Sequence, residues 1–184
     1  MTSLSSELTY HPIFPVPMFK VHLPVTPEEE EHWAQQLDNP DHEAYQKSVR
    51  GGWQSPKYTN RTSITQIFES LGFTVDAWWV NVLAPGGFNH KHVHPGAEFA
   101  AVRYITDATG LQLESPHLHA YYNLLRYWSD NDTRCTKVVN IEAKKGDIII
   151  FPANIQHQVN QTDKLRISQA FNLTCQKKSP QEHS

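Results

Sequence analysis

Three histidines at alternate positions mark the segment of this chain with the most potential chemistry. The stretch "GGFNHKHVHPGAE" contains His90, His92 and His94, and Glu98 follows four residues after the last histidine. In an extended strand, side chains at positions i and i+2 lie on the same face, so His92 and His94 would project together. Two neutral imidazoles on one face are good ligands for iron, zinc, copper or nickel. The alternative is a pair of solvated loop histidines.

A second segment, "GDIIIFPANIQHQVN", supplies another imidazole. Its apolar run predicts a buried strand, "PAN" predicts a tight turn, and His157 then opens the next strand. In an antiparallel barrel this hairpin can place His157 opposite His92 and His94. Two neighbouring histidines and a distant third are the sequence form of a facial metal triad. Glu98 could add a carboxylate ligand if the chain bends to bring it in.

The segment "KLRISQAFN" contains an arginine and a serine that would share one strand face, Arg166 and Ser168. A buried arginine needs an anionic partner, and its planar fork matches a carboxylate in bidentate fashion. A serine hydroxyl beside it can donate to the same carboxylate. The pair therefore predicts a carboxylate-binding position, the alternative being a surface arginine on an edge strand.

The N-terminal part of the chain has two helix-start signals. Thr26 precedes a proline and is followed at capping-box spacing by Glu29, and Ser63 and Gln66 repeat that spacing. Gly72 predicts the end of the second helix. We expect these helices to support a sheet formed by the rest of the chain.

Short segments rich in β-branched and aromatic residues dominate from residue 73 onward. The predicted strands are 73–84, 98–106, 111–115, 137–143, 146–152, 157–160 and 165–175. An extended edge segment is expected at 12–23, a glycine- and proline-broken loop at 48–58, and an inserted helix at 117–128. Helices followed by about seven antiparallel strands predict a mainly β protein with N-terminal helices, of jelly-roll, cupin-like barrel type.

The 184 residues suggest one domain, 1–184, with helical support at 26–72, a barrel core at 73–175 and a frayed tail at 176–184. A formal net charge of −3 argues against a nucleic-acid or anionic-membrane surface. No apolar run approaches the roughly 18–20 residues that span a bilayer. Without a signal-peptide pattern, a cytoplasmic protein is expected. The oligomeric state is left open, with a homodimer as one option.

Five segments in order resemble the small 2-oxoglutarate/Fe(II)-dependent oxygenases of bacteria and phages. They are "GGWQS", "WVN", "NHKHVHPG", "GDIIIFPANIQHQV" and "RISQAFN", and the resemblance covers roughly residues 12–175. It implies a double-stranded β-helix with iron at its mouth. It also implies that 2-oxoglutarate and O₂ are cosubstrates, that 2-oxoglutarate is decarboxylated to succinate, and that an unidentified small molecule is hydroxylated.

The resemblance also implies roles for individual residues. His92 takes the first ligand place of the usual His-x-Asp/Glu motif, His94 the second and His157 the distal one. Arg166 and Ser168 would hold the distal carboxylate of 2-oxoglutarate. The departure is His94, because the wider superfamily normally has a carboxylate at that place. Three neutral ligands leave Fe(II) with a higher net charge than two histidines and a carboxylate would.

Four further residues are expected near this site. Asn81 shares a strand face with Trp79 and could donate to the cosubstrate, and Tyr104 is expected to reach the same cavity. Trp79 would line the substrate pocket. Gln54 follows a glycine pair in the predicted loop and could belong to a substrate lid.

Two alternatives keep the barrel and the metal. "HVHPGAE" has the His-x-His-x-x-x-Glu form of a cupin motif, which would make Glu98 a fourth ligand of a lyase, isomerase or 2-oxoglutarate-independent dioxygenase. A non-catalytic, metal-stabilised binding barrel is the second alternative. The oxygenase interpretation is favoured because "GGWQS", "WVN" and "RISQAFN" fit only that family.

Overall fold

A computed structural model describes residues 16–38, 48–116 and 137–176 of the protein. Within these ranges lie two α-helices and nine strands. The helices are α1 (Pro27–Ala34), which continues into a 3₁₀ turn (Gln35–Leu37), and α2 (Ser63–Ser70). The strands are β1 (Phe19–His22), β2 (Val49–Gln54), β3 (Phe73–His92), β4 (Phe99–Tyr104), β5 (Ala108–Glu114), β6 (Val138–Ala143), β7 (Asp147–Pro152), β8 (His157–Val159) and β9 (Arg166–Cys175).

The strands form one curled sheet in the order β1-β7-β4-β9-β3-β8-β5-β6, with β2 paired to β3. All the pairings in this sheet are antiparallel. The predicted mainly β, jelly-roll class is therefore confirmed. Within the expected extended segment 12–23, the structure describes residues 16–23, which include β1. Among the described strands β1 lies at one edge of the sheet and pairs with β7. The helix predicted at 117–128 lies outside the described residues.

Both faces of the central strands are buried, which explains the uninterrupted apolar run in β7. Ile149 and Phe151 belong to a hydrophobic cluster on the inner face of the curled sheet. Ile148 and Ile150 belong to a second cluster, which includes Phe68 of α2 and also contacts α1. A strand covered on both faces has no polar side, and its sequence therefore loses the usual alternation.

Helix α1 begins at its predicted cap but without the predicted capping box. The Thr26 hydroxyl accepts a hydrogen bond from the Glu29 backbone N–H at 3.2 Å. The Glu29 carboxylate does not reach back to Thr26. It binds the buried guanidinium of Arg103 in β4, with N–O distances of 2.5 and 2.9 Å. The Glu29 side chain, which the capping-box spacing assigned to the helix cap, therefore belongs to a buried ion pair.

Helix α2 has a capping box one residue before the predicted one. The Thr62 hydroxyl accepts from the Thr65 backbone N–H, and the Thr65 hydroxyl accepts from the Thr62 backbone N–H. Gly72 follows the helix with a φ of 88°, as expected for a C-terminal stop. No helix in the described ranges is long and apolar enough to span a bilayer.

The prediction of a loop at 48–58 is wrong, because the first half of this segment forms strand β2. The glycines that suggested a loop instead allow β2 to lie unusually close to β3. A Cβ atom on Gly52 would stand 2.2 Å from the carbonyl oxygen of Val82. Only glycine fits there, so the glycine pair is a packing requirement of two neighbouring strands.

Strand β3 continues to His92 rather than ending at residue 84, and two irregularities bend it. Residues 84–87 bulge opposite β2, where Gly86 has a φ of 85°. Further on, Asn89 pairs with Val159 and His92 pairs with His157, so β3 has one more residue than β8 over this interval. This second irregularity is a β-bulge, which reverses the faces of the residues that follow it. His92 is therefore opposite His157.

Candidate metal centre

The three histidines singled out in the sequence meet at one end of the curled sheet. His92 ends β3, His157 begins β8, and His94 lies in the loop that follows β3, where its backbone N–H donates to Ala153 at 2.9 Å. Each ring offers a nitrogen, and these atoms all lie within 4.8 Å of one another. His94 and His157 are buried and His92 is half-buried. By contrast His90 is exposed, because the bulge separates it from the face that carries His92.

Every ring in the trio has its Nδ1 atom directed at an oxygen. His92 donates to the His90 carbonyl at 2.6 Å, His94 to Oδ1 of Asn172 at 2.6 Å, and His157 to the Ile155 carbonyl at 2.9 Å. These oxygens can only accept, so the proton of each neutral ring lies on Nδ1. The Nε2 lone pairs remain for a metal, in the arrangement that metal-ligating histidines commonly adopt.

The three imidazoles are also held in the neutral form that metals bind. Burial lowers the pKa of His157 to about 3, and the nearby His92 adds to the shift. Burial lowers the pKa of His94 to about 4, with smaller contributions from His92 and from the positive charge of Lys57. The pKa of His92 is lowered by burial as well. At neutral pH the trio is therefore a set of uncharged donors suited to a divalent transition metal.

Glu98 is not part of this group. Its carboxylate accepts a hydrogen bond from the Cys175 backbone N–H at 2.7 Å, and the residue is exposed. It therefore extends the hydrogen bonding at the end of β9 rather than approaching the histidines. The cluster that the described residues form consists of imidazoles alone.

A narrow cavity runs inward from the trio along the inner face of the sheet. Arg166 and Ser168 lie on its wall, both buried, and the Arg166 Nη1 atom donates to the Ser168 hydroxyl at 2.8 Å. The predicted common face of these two residues is thus observed. The remaining lining is mostly apolar or neutral: Ser48, Trp79, Asn81, Asn89, Val102, Leu111, Val159 and Ala170.

The charge of Arg166 has no partner among the described residues. No described carboxylate lies within ion-pair distance, and Nε makes no hydrogen bond there. The Tyr104 ring lies against the guanidinium, 5.3 Å from its carbon atom to the ring centroid, and the Tyr104 hydroxyl makes no hydrogen bond of normal geometry. Burial lowers the pKa of Arg166 and raises the pKa of Tyr104. Arginine nevertheless stays protonated in proteins, so this cavity contains a buried cation and unused donors.

Gln54 and Asn81 contact each other beside the inner cavity, which Asn81 lines. Gln54 Nε2 donates to Asn81 Oδ1 at 2.8 Å, and both side chains are buried. The prediction that Gln54 belongs to a lid is therefore wrong, because Gln54 is buried at the end of strand β2. Asn81 shares the inner face with Trp79, as predicted from the alternation of β3.

A second, outer cavity of about 250 Å³ opens on the other side of the trio. Trp79 forms one wall and stacks on the His94 ring, with the centroids 5.4 Å apart. The Lys57 ammonium lies 4.9 Å from the centroid of the Trp79 ring. Trp78, the neighbour of Trp79, faces the opposite side of the sheet and packs on Tyr58. The full lining is Ser48, Gln54, Ser55, Lys57, Trp79, His92, Val93, His94, Pro95 and Asn172.

Asn172 and Lys57 line the outer cavity and were not among the sequence predictions. Asn172 orients His94, and it follows Arg166, Ser168 and Ala170 at two-residue intervals along β9, so the strand alternation could have identified it. Lys57 lies in the segment after β2, and no pattern in the sequence distinguishes it from an ordinary surface lysine.

Comparison with known proteins agrees with this geometry. The model of a family described as "Putative 2OG-Fe(II) oxygenase" matches residues 77–172, just over half of the chain. The matched range includes all three histidines, Arg166, Ser168 and Asn172. A search of the curated proteins finds no match.

Solved structures show the same fold at low identity. The chain is 12% identical to a Pseudomonas putida prolyl-4-hydroxylase, covering 89% of this chain and 94% of that one with a TM-score of 0.57. HygX from Streptomyces hygroscopicus, with nickel, 2-oxoglutarate and hygromycin B bound, is 11% identical, with coverages of 87% and 83% and a TM-score of 0.54. A 2OG-Fe(II) oxygenase family oxidoreductase from Burkholderia pseudomallei is 15% identical, with coverages of 60% and 49% and a TM-score of 0.43. The chain thus spans about half the length of that last protein.

The family match covers the histidine trio, the inner cavity and the arginine beyond it, and the fold is that of the solved oxygenases. The chain belongs to the 2OG-Fe(II) oxygenase family, whose cofactor is Fe(II) and whose cosubstrates are 2-oxoglutarate and O₂.

Proposed function

We propose that His92, His94 and His157 bind Fe(II), and that Arg166 with Ser168 binds the 5-carboxylate of 2-oxoglutarate. One observation carries this assignment. A single narrow cavity joins three neutral imidazoles to a buried guanidinium that has no described anionic partner. A dicarboxylate that chelates a metal at one end and meets a cation at the other fits both requirements.

Two further residues, one beside Arg166 and one on the cavity wall, complete the proposed cosubstrate site. The Tyr104 hydroxyl is buried and close to the guanidinium, so it can donate to the same carboxylate. Asn81 lines the same cavity opposite Ser168 in the ladder between β3 and β9, and its side chain accepts a hydrogen bond from Gln54. Burial of Arg166 excludes water from the ion pair, and the strength of a charge-assisted hydrogen bond rises as the surroundings become less polar.

The reaction would take place where the two cavities meet. When bound, Fe(II) with 2-oxoglutarate supplies the means to activate O₂, so that one oxygen atom enters succinate, CO₂ is released, and the other oxygen hydroxylates a substrate C–H bond. The protein positions the substrate from the outer cavity, where Trp79 provides a rigid apolar wall beside His94 and Gln54 provides an amide. Asn172 keeps the His94 ring in one orientation through its hydrogen bond.

We propose a small molecule as the primary substrate. The outer cavity of about 250 Å³ is a pocket of limited size, beside the trio. The solved structure of HygX contains hygromycin B, which is an example of a small molecule bound by a protein of this fold.

The test is an anaerobic titration of the purified protein with Fe(II) and then with 2-oxoglutarate. We expect one Fe(II) per chain and the metal-to-ligand charge-transfer band of the 2-oxoglutarate chelate. His157→Ala should abolish both, because two imidazoles hold iron poorly. His90→Ala is the matched control: His90 lies in the same motif but is exposed, so iron and band should be retained. Full iron occupancy in His157→Ala would refute the ligand assignment.

The same assay separates the proposal from the metal-cupin alternative. Glu98→Gln should keep its iron, because the Glu98 carboxylate contacts the Cys175 backbone instead of the trio. A cupin site with Glu98 as fourth ligand would lose metal in this variant. A wild-type protein that binds iron but never gives the charge-transfer band would also favour the cupin.

A further inference from the structure

We infer that the primary substrate is a small anion, and that Lys57 binds its carboxylate or phosphate group at the outer cavity. The inference rests on the proposed function, since it takes the outer cavity to be the substrate pocket of an iron site. It adds the chemical class of the substrate, which neither the fold nor the family match specifies.

The first observation is the position of Lys57. Its side chain folds over the indole of Trp79, with the ammonium 4.9 Å from the ring centroid, and Trp79 in turn stacks on His94. One ring therefore separates the ammonium from the metal centre. Lys57 makes no ion pair with any described carboxylate, so its charge is not neutralised by a described neighbour. An exposed lysine is usually free to extend into water, so a folded position over the pocket wall brings its charge to the site.

The second observation is the absence of negative charge in the outer cavity. Among its described lining residues none is aspartate or glutamate, and the uncharged polar groups are hydroxyls and amides. A cationic ligand would find no counter-charge on these walls. An anionic ligand would find an ammonium on the apolar face of an indole, with hydroxyl and amide donors around it.

The charge balance of the site, with Fe(II) and 2-oxoglutarate bound as proposed, gives the third argument. The trio brings no negative charge, so the two charges of 2-oxoglutarate cancel those of Fe(II), and Arg166 and Lys57 remain as uncompensated cations. A carboxylate in the place of His94 would have removed one of these positive charges. A small anion in the outer cavity brings the site closer to neutrality, and in a cavity with limited water this difference favours the anion over a neutral isostere.

The experiment measures binding, not turnover, and uses three probes that share a phenyl ring. Benzoate, benzamide and phenyl phosphate are titrated calorimetrically into the anaerobic protein loaded with Fe(II) and saturating 2-oxoglutarate. We expect wild type to bind benzoate about tenfold more tightly than benzamide, the range that a charge-assisted hydrogen bond in a partly buried site gives. The preference should shrink as ionic strength rises. Comparison of benzoate with phenyl phosphate distinguishes a carboxylate site from a phosphate site.

Variants at position 57 locate the cause of the preference. Lys57→Met keeps the length of the side chain without its charge and should reduce the preference for benzoate to about twofold or less. Lys57→Glu should reverse it. Lys144→Met changes an exposed lysine outside the cavity and should leave all three affinities unchanged. Both Lys57 variants should keep Fe(II) and the 2-oxoglutarate band, since Lys57 contacts neither proposed binding group.

The outcomes separate this inference from the proposed function. Loss of the 2-oxoglutarate band in wild type would contradict the proposed function itself. If the band forms and wild type binds benzoate no better than benzamide, or binds neither anion at millimolar concentration, the anionic-substrate inference is overturned while the oxygenase assignment stands. It is equally overturned if Lys57→Met keeps the full preference.

Discussion

Two buried arginines on adjacent strands of the same sheet have opposite surroundings. Arg103 in β4 is 1% exposed and binds both oxygens of Glu29, the Gln169 side chain at 2.9 Å and the Pro24 carbonyl at 3.2 Å. Arg166 in β9 is 3% exposed, donates a hydrogen bond to Ser168, and lies against the ring of Tyr104. The two side chains are buried to a similar extent. They differ in that Arg103 has a carboxylate partner and Arg166 has none among the described residues.

The sheet itself explains how two such sites can be so close. Arg103 pairs across the ladder with Gln169, and the next pair is Tyr104 with Ser168. Successive residues face opposite sides, so Arg103 binds Glu29 of helix α1, whereas Ser168 lines the inner cavity and Tyr104 contacts Arg166. One buried guanidinium is paired with a carboxylate, and the other has no carboxylate partner among the described residues. The second arrangement costs stability, and we propose that this cost is accepted where an anion binds. The comparison therefore distinguishes an arginine that holds the fold together from one that serves a ligand.

The largest effect is expected at the unpaired arginine, on ligand binding. Arg166→Ala should weaken 2-oxoglutarate binding by about 2–5 kcal/mol, roughly 30-fold or more, because the 5-carboxylate would be buried without its cation. Arg166→Lys should recover only part of this loss, since an ammonium cannot reproduce the fork. Iron binding should be unchanged. The measurement is anaerobic titration of the charge-transfer band, and wild-type affinity in Arg166→Ala would end the proposed assignment.

The next effect concerns stability and should fall on the other arginine. Arg103→Met should lower the free energy of unfolding by about 3 kcal/mol, because Glu29 and Gln169 lose a buried partner. The matched variant Arg166→Met should leave the apoprotein as stable as wild type or more stable by about 1 kcal/mol, since it removes an unpaired buried charge. Urea unfolding of both apoproteins gives the comparison. Equal destabilisation by the two substitutions would show that the distinction between the arginines is false.

The smallest effect is a pH dependence that separates the histidines from both arginines. The folded-state pKa values of His94 and His157 are about 4 and about 3, against about 6.5 in the unfolded chain. The unfolded chain therefore binds more protons between these values, and stability falls as pH falls from about 6.5 towards 3. The loss between pH 6.5 and 5.5 should be about 2 kcal/mol for the apoprotein.

Thermal unfolding of the apoprotein over this pH interval measures the effect. Both arginines stay protonated throughout, so they contribute nothing to the slope. His157→Gln should flatten the dependence by about half, because one of the two buried imidazoles is gone. A slope in His157→Gln as steep as in wild type would assign the acid sensitivity to other groups.

Period-two patterns predicted much of the sheet and most of the site. Alternation in the β9 segment placed Arg166 and Ser168 on one face, and the buried "IIIF" strand with its tight turn placed His157 opposite His92. These positions follow from neighbours along a strand or from a short hairpin, which is the range over which sequence patterns are informative.

Features that depend on contacts between distant segments could not be predicted in this way. Glu29 has the spacing of a capping residue, and only the folded position of β4 reveals that Arg103 takes its carboxylate. Gly52 suggests a loop until the Val82 carbonyl is seen against it. Lys57 is one of many lysines in the sequence, and its relation to the metal centre exists only through the Trp79 ring.

The extra residue in β3 between Asn89 and His92 has a consequence for how this chain can evolve. In a regular ladder Lys91 would stand opposite His157, and His92 would face outward. The count of residues in this interval thus decides whether a ligand or a repelling cation occupies the metal position. Substitutions at exposed His90 leave that count intact, whereas an insertion or deletion there shifts everything that follows it. Among descendants of this sequence we therefore expect length to be conserved between Asn89 and His92 more strictly than the identity of the residues between them.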